Sequence, residues 1–400
     1  MKNKGLTRRD LLKVTGAGGA MVALGSQPAL AAPPKAEELP KVPRKRLGKT
    51  KKEIPILLMG GSMKFDPRFD PKFAECMRFG IDYFDMADCY AGGTAEPALG
   101  AYLEKAKNRD QVWITTKSDA WDPKGLVETL NQSLSRMKTN RVELLYLHGL
   151  DNESALNAET AKTAEQLKKE GKIQFFGFSC HSGNVVELMN KAAGLSWIDS
   201  IMFRYNFRQY GNAELNKAID ACAKADIGLI AMKTQGSEAS FADAWKKFEQ
   251  NGKWSKHQAV LKAVWADPRI TAAVSHMDTF DKLKQNIAAA VDKKELGALE
   301  LEALRQYAAV TRSYACDGCD HLCNPAVDAP VQIGATMRYL MYHDVYGDPV
   351  EAKRRFAQLP KEAQNLDVDF SRANQACPSG IDVAAHMKRA REVLPDASIA

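Results

Sequence analysis

The sequence predicts a (β/α)₈ barrel that is followed by a helical, cysteine-bearing C-terminal extension. Between residues 56 and 290, β-rich runs alternate with amphipathic helical runs, and there are eight of each. Three successive β-rich runs end in titratable residues, as expected at the carboxyl-terminal face of a barrel, where active sites lie. No Gly-x-Gly-x-x-Gly motif follows a strand run, so the sequence does not support a doubly wound dinucleotide-binding domain.

The predicted elements follow the chain in order. Strands are predicted near 56–60, 81–86, 111–117, 141–148, 173–179, 198–203, 227–233 and 271–276. Helices are predicted near 71–79, 96–106, 124–138, 155–169, 184–193, 213–225, 256–266 and 280–290. We therefore assign residues 44–292 to the barrel and residues 293–400 to a helical C-terminal domain, which contains a predicted helix over 295–310.

The first 31 residues are typical of a twin-arginine signal peptide. The run from Thr7 to Lys13 reads Thr-Arg-Arg-Asp-Leu-Leu-Lys, and Ala29-Leu-Ala31 offers a cleavage site. The apolar run from Val14 to Gly25 is short and rich in glycine, which argues against a membrane-spanning helix, although an uncleaved anchor is the alternative. The sequence thus predicts export of the folded protein by the twin-arginine translocase to the periplasm. Residues 32–43 read as a flexible linker.

The charge of the chain gives no indication of nucleic-acid binding. The formal net charge is +7, but residues 1–31 hold five basic residues and one acidic residue, which leaves about +3 for the remainder. A weak and evenly spread positive charge is not the electrostatic footprint of a nucleic-acid-binding surface.

The stretch from Ile81 to Tyr90 brings together the first groups that can do chemistry. A strand run ends at Asp85, and Tyr90 follows five residues later. A tyrosine titrates near ~10, so a tyrosine that acts as an acid at neutral pH needs a nearby cation, which a carboxylate can hold in place. Lys117 ends the next strand run and His148 ends the one after it. The alternative is a plain structural ion pair between Asp85 and Lys117 beside a core histidine.

At these residues the chain resembles the aldo/keto reductase family. Its catalytic tetrad matches Asp85, Tyr90, Lys117 and His148, and the resemblance extends from about residue 46 to about residue 290. The resemblance implies that Tyr90 donates a proton, that Lys117 lowers the pKa of Tyr90 and that Asp85 holds Lys117. It also implies that His148 orients the oxygen of a small carbonyl or alcohol substrate while a nicotinamide cofactor carries the hydride. The run Arg46–Ile54 resembles the family's hairpin at the bottom of the barrel.

The same resemblance implies a set of cofactor-binding residues at the later strand ends. They are Ser179 for the nicotinamide carboxamide, Lys233, Gly236 and Ser237 in the strand and loop that face the pyrophosphate, His276 on the eighth strand, Lys282 for a 2′-phosphate, and Asn286 for the adenine. Lys282 favours NADP over NAD, although solvated surface roles for His276 and Lys282 are the alternative. Cys180 and Met202 replace amide side chains that usually contact the carboxamide.

Four cysteines lie in the C-terminal domain, at positions 316, 319, 323 and 377. Their close spacing and the Cys377-Pro378 pair resemble the ferredoxin-like extension of one branch of the family, which implies that they ligate a [4Fe–4S] cluster. Two disulfides, which an oxidising compartment would permit, and a zinc site are the alternatives.

Together these observations predict an exported oxidoreductase that transfers a hydride between NADP (or NAD) and a carbonyl or alcohol. Because free nicotinamide nucleotides should be scarce outside the cytoplasm, coupling to the cluster and a periplasmic redox partner are part of this expectation. Two alternatives are a nicotinamide-independent electron-transfer protein and a binding protein whose barrel keeps the fold but has lost catalytic activity.

Overall fold

The computed structural model describes residues 39–181, 183–235, 254–310, 316–344 and 348–395. The predicted twin-arginine signal and most of the predicted linker lie outside the described residues. Within the described ranges the strands are β1 (Arg44–Arg46), β2 (Glu53–Pro55), β3 (Leu57–Gly60), β4 (Tyr83–Asp85), β5 (Trp113–Ser118), β6 (Val142–Leu147), β7 (Ile173–Cys180), β8 (Ser200–Arg204), β9 (Gly228–Met232) and β10 (Ala272–Ser275).

Eight helices alternate with the strands from β3 onward. They are α1 (Pro71–Arg78), α2 (Ala95–Ala106), α3 (Pro123–Arg136), α4 (Ala158–Lys169), α5 (Val185–Ala193), α6 (Ala213–Lys224), α7 (Lys256–Trp265) and α8 (Phe280–Val291). Strands β3 to β10 pair in parallel in chain order, and β10 pairs back onto β3, which closes the sheet. The predicted (β/α)₈ barrel is therefore confirmed.

Local sequence signals explain where the barrel helices begin. Asp70 precedes Pro71 at the start of α1, and its carboxylate accepts a hydrogen bond from the backbone N–H of Lys72. The same Asp-Pro pair recurs before α3, where Asp122 accepts from the backbone N–H of Gly125. An N-cap carboxylate satisfies a free N–H at the helix end, and proline suits the first helical position because it has no N–H to leave unpaired.

Two layers of apolar side chains make up the core of the barrel. One layer lies between strands and helices, while the other fills the barrel interior with residues such as Tyr83, Leu144 and Met202. The antiparallel hairpin of β1 and β2 closes the bottom, where Leu47 and Ile54 join the interior layer. The polar groups at the opposite strand ends are thus held on a packed, rigid base.

The residues after α8 form a helical extension with a core of its own. Its helices are α9 (Ala298–Val310), α10 (Asp320–Cys323), α11 (Ile333–Asp344), α12 (Pro349–Ala357), α13 (Ser371–Ala376) and α14 (Val383–Val393). Buried residues including Phe356, Phe370 and Met387 pack together, and Cys323 belongs to the same cluster. Among the described residues, no helix has the length and apolar character needed to cross a membrane.

Candidate active site

Asp85, Lys117 and Tyr90 meet at the carboxyl-terminal end of the barrel. Lys117 Nζ lies 2.6 Å from Asp85 Oδ1, and it also donates to Tyr90 Oη at 3.1 Å and to the backbone carbonyl of Met86 at 2.8 Å. Asp85 is 2% exposed and Lys117 is 1% exposed, so the ion pair is shielded from water. Each side chain comes from the end of its own strand or from the loop after it, as the sequence predicts.

The pKa of Tyr90 differs from the sequence-based expectation. Burial raises the pKa of the Tyr90 phenol well above its ordinary value, and the negative charge of Asp85 adds to the rise. Lys117 does not bring the pKa below the usual range because its charge is already compensated by Asp85 at 2.6 Å. In this structure Tyr90 is therefore a protonated donor at neutral pH, which suits protonation of a carbonyl oxygen rather than abstraction of a proton.

His148 lies beside Tyr90 and is held by residues that sequence reasoning missed. The two rings stand nearly perpendicular, with centroids 5.6 Å apart. His148 Nδ1 lies 2.6 Å from Asp119 Oδ1 and 3.6 Å from Cys89 Sγ. Since Nδ1 is engaged, Nε2 is the nitrogen left for a substrate oxygen. Asp119 follows Lys117 by two residues and Cys89 precedes Tyr90, so strand-end position was the signal that could have identified both.

Charge is concentrated around Cys89. Burial raises the pKa of the Cys89 thiol to about 12, and the carboxylates of Asp119 and Asp88 contribute to the rise. Burial acts to raise the pKa of Asp119 as well, but hydrogen bonds from His148 and Cys89 outweigh it, so the pKa of Asp119 lies below its usual range. Asp119 is therefore a carboxylate next to the imidazole, while Cys89 is a protonated thiol.

Among the predicted cofactor residues, Ser179 and Lys233 lie at strand ends near the tetrad. Ser179 Oγ accepts a hydrogen bond from the backbone N–H of Gly149 at 3.0 Å, at the end of β7. Lys233 follows β9 with a positive φ of 57°, and its carbonyl accepts from the Asn206 side chain at 3.2 Å. A lysine in the left-handed region is strained, and such strain is often concentrated at functional sites.

The structure places the remaining predicted cofactor residues in two different settings. Asn286 is buried, where its amide donates to Ser275 Oγ at 2.9 Å and accepts from Gln235 at 3.1 Å. Lys282 is exposed and pairs with Asp278 at 2.8 Å, and His276 Nε2 lies 3.6 Å from the same carboxylate. Because an exposed ion pair of this kind is weak, the preference for NADP over NAD stays a prediction. Gly236 and Ser237 lie outside the described residues.

The C-terminal extension reaches over the carboxyl-terminal end of the barrel. The Lys233 ammonium lies 5.5 Å from the ring centroid of Tyr342 on α11. Burial acts to raise the pKa of Tyr342, but the charges of Lys233, Arg338 and Arg355 outweigh it and leave the pKa below its usual value. Tyr342 in turn contributes to the raised pKa of Tyr90. The extension thus brings ionisable groups to the candidate active site, and nothing in the sequence indicated this.

His181 lies where the loop after β7 meets the extension. Its Nδ1 is buried without a hydrogen-bond partner, and burial, together with the charges of Arg338 and Lys233, lowers its pKa well below the usual value. The next loop residue to be described, Gly183, is so close to the extension that an added Cβ would lie 2.5 Å from Cys319 Cα. His181 is therefore a neutral imidazole between the tetrad and the cysteine-bearing segment.

The four cysteines of the extension surround one cavity. Cys316, Cys319, Cys323 and Cys377 all line it, together with apolar residues such as Met337. The backbone N–H of Ile381 points to Cys377 Sγ at 3.4 Å. On the barrel side, Arg204 donates to the carbonyl of Cys316 at 2.6 Å and pairs with Asp317 at 3.1 Å. Four convergent sulfurs with an N–H donor to one of them fit the ligand set of an iron–sulfur cluster.

The same geometry bears on the two alternative interpretations of these cysteines. All eight cysteines of the chain lie within the described residues, and each is a free thiol, so the two-disulfide arrangement is not the one found here. A tetrahedral Zn²⁺ site would hold its sulfurs about 3.8 Å apart. Within the described part of the chain, Asp88, Cys89, Asp119 and His148 form the group whose ligand atoms all lie within 4.8 Å of one another, and the four cysteines do not meet that spacing. In this structure the four cysteines are therefore not arranged as the ligands of a single tetrahedral zinc ion.

Comparison with known proteins supports the resemblance of the barrel to the aldo/keto reductase family. Residues 73–315 match the family model described as the aldo/keto reductase family. The match ends immediately before Cys316, so the cysteine-bearing segment lies beyond it.

Individual relatives agree with the family match. The chain is 25% identical over 267 residues to the uncharacterised oxidoreductase YqkF of Bacillus subtilis. This alignment covers 58% of the present chain and 85% of YqkF. It is 31% identical over 150 residues to aflatoxin B1 aldehyde reductase member 2 of Rattus norvegicus, which covers 34% of this chain and 41% of that protein. Among solved structures, the holo form of the aldo-keto reductase AKR11C1 from Bacillus halodurans shares the fold, with a TM-score of 0.56 at 21% identity, and covers 66% of this chain and 96% of that one.

Proposed function

Because the chain belongs to the aldo/keto reductase family, we propose that it transfers a hydride between a nicotinamide cofactor and a small carbonyl or alcohol. The observation that carries this proposal is the contact of Lys117 Nζ with both Asp85 and Tyr90, at 2.6 Å and 3.1 Å. A solvent-shielded cation that touches a phenol hydroxyl stabilises negative charge on that oxygen as its proton leaves.

In the proposed mechanism each side chain has a separate task. Tyr90 donates its proton to the carbonyl oxygen, and Lys117 stabilises the phenolate that forms. Asp85 fixes the position of Lys117, while His148 orients the substrate oxygen from its free ring nitrogen. The nicotinamide supplies the hydride when it is bound. The strand ends that carry Ser179 and Lys233 would hold the cofactor, either NADP or NAD.

We also propose that Cys316, Cys319, Cys323 and Cys377 hold a [4Fe–4S] cluster. The support is their convergence on one cavity and the N–H donor to Cys377 Sγ. Such a cluster accepts or gives one electron at a time. Since the segment Cys316–Cys319 packs against the barrel loops at Arg204 and Gly183, it is well placed to couple the barrel site to a redox partner.

The N-terminal pattern supports a further part of the proposal. The twin-arginine run at residues 7–13 directs the folded protein to the translocase and hence to the periplasm. A periplasmic partner would exchange electrons with the extension there. Folding before export would also allow cofactor loading in the cytoplasm.

The central experiment compares Tyr90→Phe with the parent protein in an assay that follows oxidation of the reduced nicotinamide by carbonyl substrates. We expect the turnover number to fall by about 10²–10⁴-fold because the proton donor is lost. Tyr102→Phe is the matched control, since Tyr102 lies in α2 and only accepts a hydrogen bond from Asn108. Equal turnover in Tyr90→Phe and the parent protein would refute the assigned role.

Calorimetric titration with NADPH and NADH distinguishes the main alternative. The buried Cys180 and Met202, where the family usually has amides, favour weaker carboxamide recognition. Binding of either nucleotide supports the proposed nicotinamide-dependent reductase function. If neither nucleotide binds at millimolar concentration, the nicotinamide-independent electron-transfer function replaces it. If the protein also lacks iron when it is prepared anaerobically, the remaining alternative is a binding protein whose barrel has lost catalytic activity.

Iron analysis of anaerobically prepared protein tests the cluster. We expect about four irons per chain and a brown colour, and we expect Cys377→Ser to lose most of the iron. Cys222→Ser is the matched control, because Cys222 is buried in α6 and donates to the carbonyl of Met189. Colourless, iron-free parent protein would overturn the cluster without affecting the barrel assignment.

A further inference from the structure

A cluster of metal-ligating side chains lies on the outer side of the tetrad histidine. It consists of Asp88, Cys89, Asp119 and His148, whose candidate ligand atoms all lie within 4.8 Å of one another. The four residues come from the loops and strand ends after β4, β5 and β6. Lys117, Tyr90 and Asp85 make their own contacts with one another and are not part of this cluster.

One separation between the ligand atoms already matches a tetrahedral ion, and another has to widen only slightly. Cys89 Sγ and His148 Nδ1 are 3.6 Å apart. Metal–ligand bonds of 2.0–2.3 Å in a tetrahedron place neighbouring ligand atoms about 3.4–3.8 Å apart. His148 Nδ1 and Asp119 Oδ1 are now 2.6 Å apart, so they would have to separate by less than about 1 Å. The Asp119 side chain is 55% exposed and is free to make this movement.

A second observation points to a missing partner at the same place. Asp88 Oδ1 is buried and has no hydrogen-bond partner. A buried carboxylate oxygen is normally satisfied by a donor or by a cation. Asp88 and Asp119 form a negative environment. Two nearby cations are already paired with other carboxylates, Arg355 with Glu351 at 2.8 Å and Arg136 with Glu96 at 3.4 Å.

We propose that Asp88, Cys89, Asp119 and His148 form a binding site for one divalent, borderline-soft metal ion of the Zn²⁺ class. Sulfur, imidazole nitrogen and carboxylate oxygen are the ligands that such ions take in tetrahedral sites. When the ion binds, the Cys89 proton leaves to solvent and the thiol becomes a thiolate ligand. The proton that His148 Nδ1 shares with Asp119 is also released, and the neutral imidazole then carries its proton on Nε2. The exposed Asp119 gives the ion a route from solvent.

The site has a consequence for His148. An ion on Nδ1 fixes the proton of the neutral imidazole on Nε2, so that this nitrogen can only donate. The ion would therefore hold the histidine in the tautomer that stabilises a substrate oxygen. This role is structural and positioning, and metal binding itself does not depend on the proposed hydride transfer.

Cobalt titration of the full chain tests the site directly. Protein is treated with a chelator and titrated with Co²⁺ under reducing conditions, and absorption spectra and binding stoichiometry are measured. Because the extension's cysteines can also bind Co²⁺, the result is the difference between variants. We expect the parent to bind one more equivalent than Cys89→Ser, and to show a thiolate-to-cobalt band that Cys89→Ser lacks. The matched control Cys222→Ser should behave as the parent does.

A second variant keeps the test decisive if Cys89→Ser does not fold. Asp119→Asn alters an exposed side chain, and we expect it to weaken Co²⁺ binding by at least about tenfold. Equal stoichiometry and identical spectra for the parent and Cys89→Ser would overturn the site, as would unchanged affinity in Asp119→Asn. Neither measurement uses enzymatic activity, so failure of the reductase assignment would leave this test unaffected.

Discussion

The buried pair Asp85–Lys117 permits a sharp test by a double-mutant cycle. The changes are Asp85→Asn, Lys117→Met and the combination of the two. Asparagine keeps the shape of the carboxylate and methionine keeps the length of the lysine, so the variants remove charge with little change in volume. Both residues are at most 2% exposed, so water cannot replace a lost partner.

The structure sets the size of the expected effect. Breaking a buried pair from one side leaves an uncompensated charge and costs about 3–5 kcal/mol. Burial already raises the pKa of Asp85, so Asp85 can take up a proton when Lys117 is lost, which limits that cost to about 3 kcal/mol. The double variant carries no buried charge and loses mainly the hydrogen bond to the Met86 carbonyl. We therefore expect it to be destabilised by no more than about 3 kcal/mol, which gives a coupling energy of about 3 kcal/mol.

Urea unfolding of the four proteins, followed by tryptophan fluorescence, gives the free energies of unfolding. Tyr90→Phe is the control, because it removes only the 3.1 Å hydrogen bond from Lys117 and should change stability by about 1 kcal/mol. Additive costs, with the double variant as unstable as the two single variants summed, would refute the description of Asp85 and Lys117 as one compensated pair.

Three further predictions concern pH and location. Because the pKa of Tyr90 lies well above its ordinary value of 10, the rate of carbonyl reduction should be independent of pH from 7 to 9. The rate of alcohol oxidation needs the phenolate, so it should still be rising at pH 10. A plateau of the oxidation rate below pH 9 in stopped-flow measurements would contradict this prediction. The lowered pKa of His181 means that the folded protein binds fewer protons than the unfolded chain below about pH 6.5. The contribution of neutral His181 to stability is therefore fully present above that pH and is lost progressively as the pH falls below it. His181→Asn should reduce this loss and the control His386→Asn should leave it unchanged, as measured by urea unfolding at pH 7 and pH 5. Replacement of Arg8 and Arg9 by lysine should leave unprocessed protein in the cytoplasm on cell fractionation, and undiminished mature protein in the periplasm would contradict the export signal.

The barrel, and the strand ends that meet at the candidate active site, could be predicted because their signals are local. A β-rich run that ends in Asp85, Lys117 or His148 specifies both a strand and the end at which the side chain lies. The parallel pairing of these strands then brings the three groups to one face. The alternation of strands and helices can be predicted without information on contacts between residues that are distant in the sequence.

The electrostatics of the site could not be predicted in the same way. The pKa of Tyr90 depends on how deeply its phenol is buried and on how far Asp85 compensates the charge of Lys117. Neither quantity can be obtained from the spacing of residues in the sequence. Tyr342 and Arg355 reach the site from the extension, more than two hundred residues along the chain from Tyr90, so only the tertiary structure relates them. The ion pair of Lys282 with Asp278 could not be predicted either, because the position of Lys282 in the sequence gives no information on its partner.

The pairing of β3 with β10 also constrains the order in which the molecule can assemble. Leu57 on β3 pairs with Ala273 on β10, which is made more than two hundred residues later. At about 5–20 residues per second, the ribosome needs about 10–40 s to synthesise the intervening chain. During that interval the backbone of β3 has an unpaired edge that can join another chain. A pulse of synthesis at high cellular concentration should therefore favour aggregation of nascent chains, and chaperones that cover strand edges should raise the yield of soluble protein.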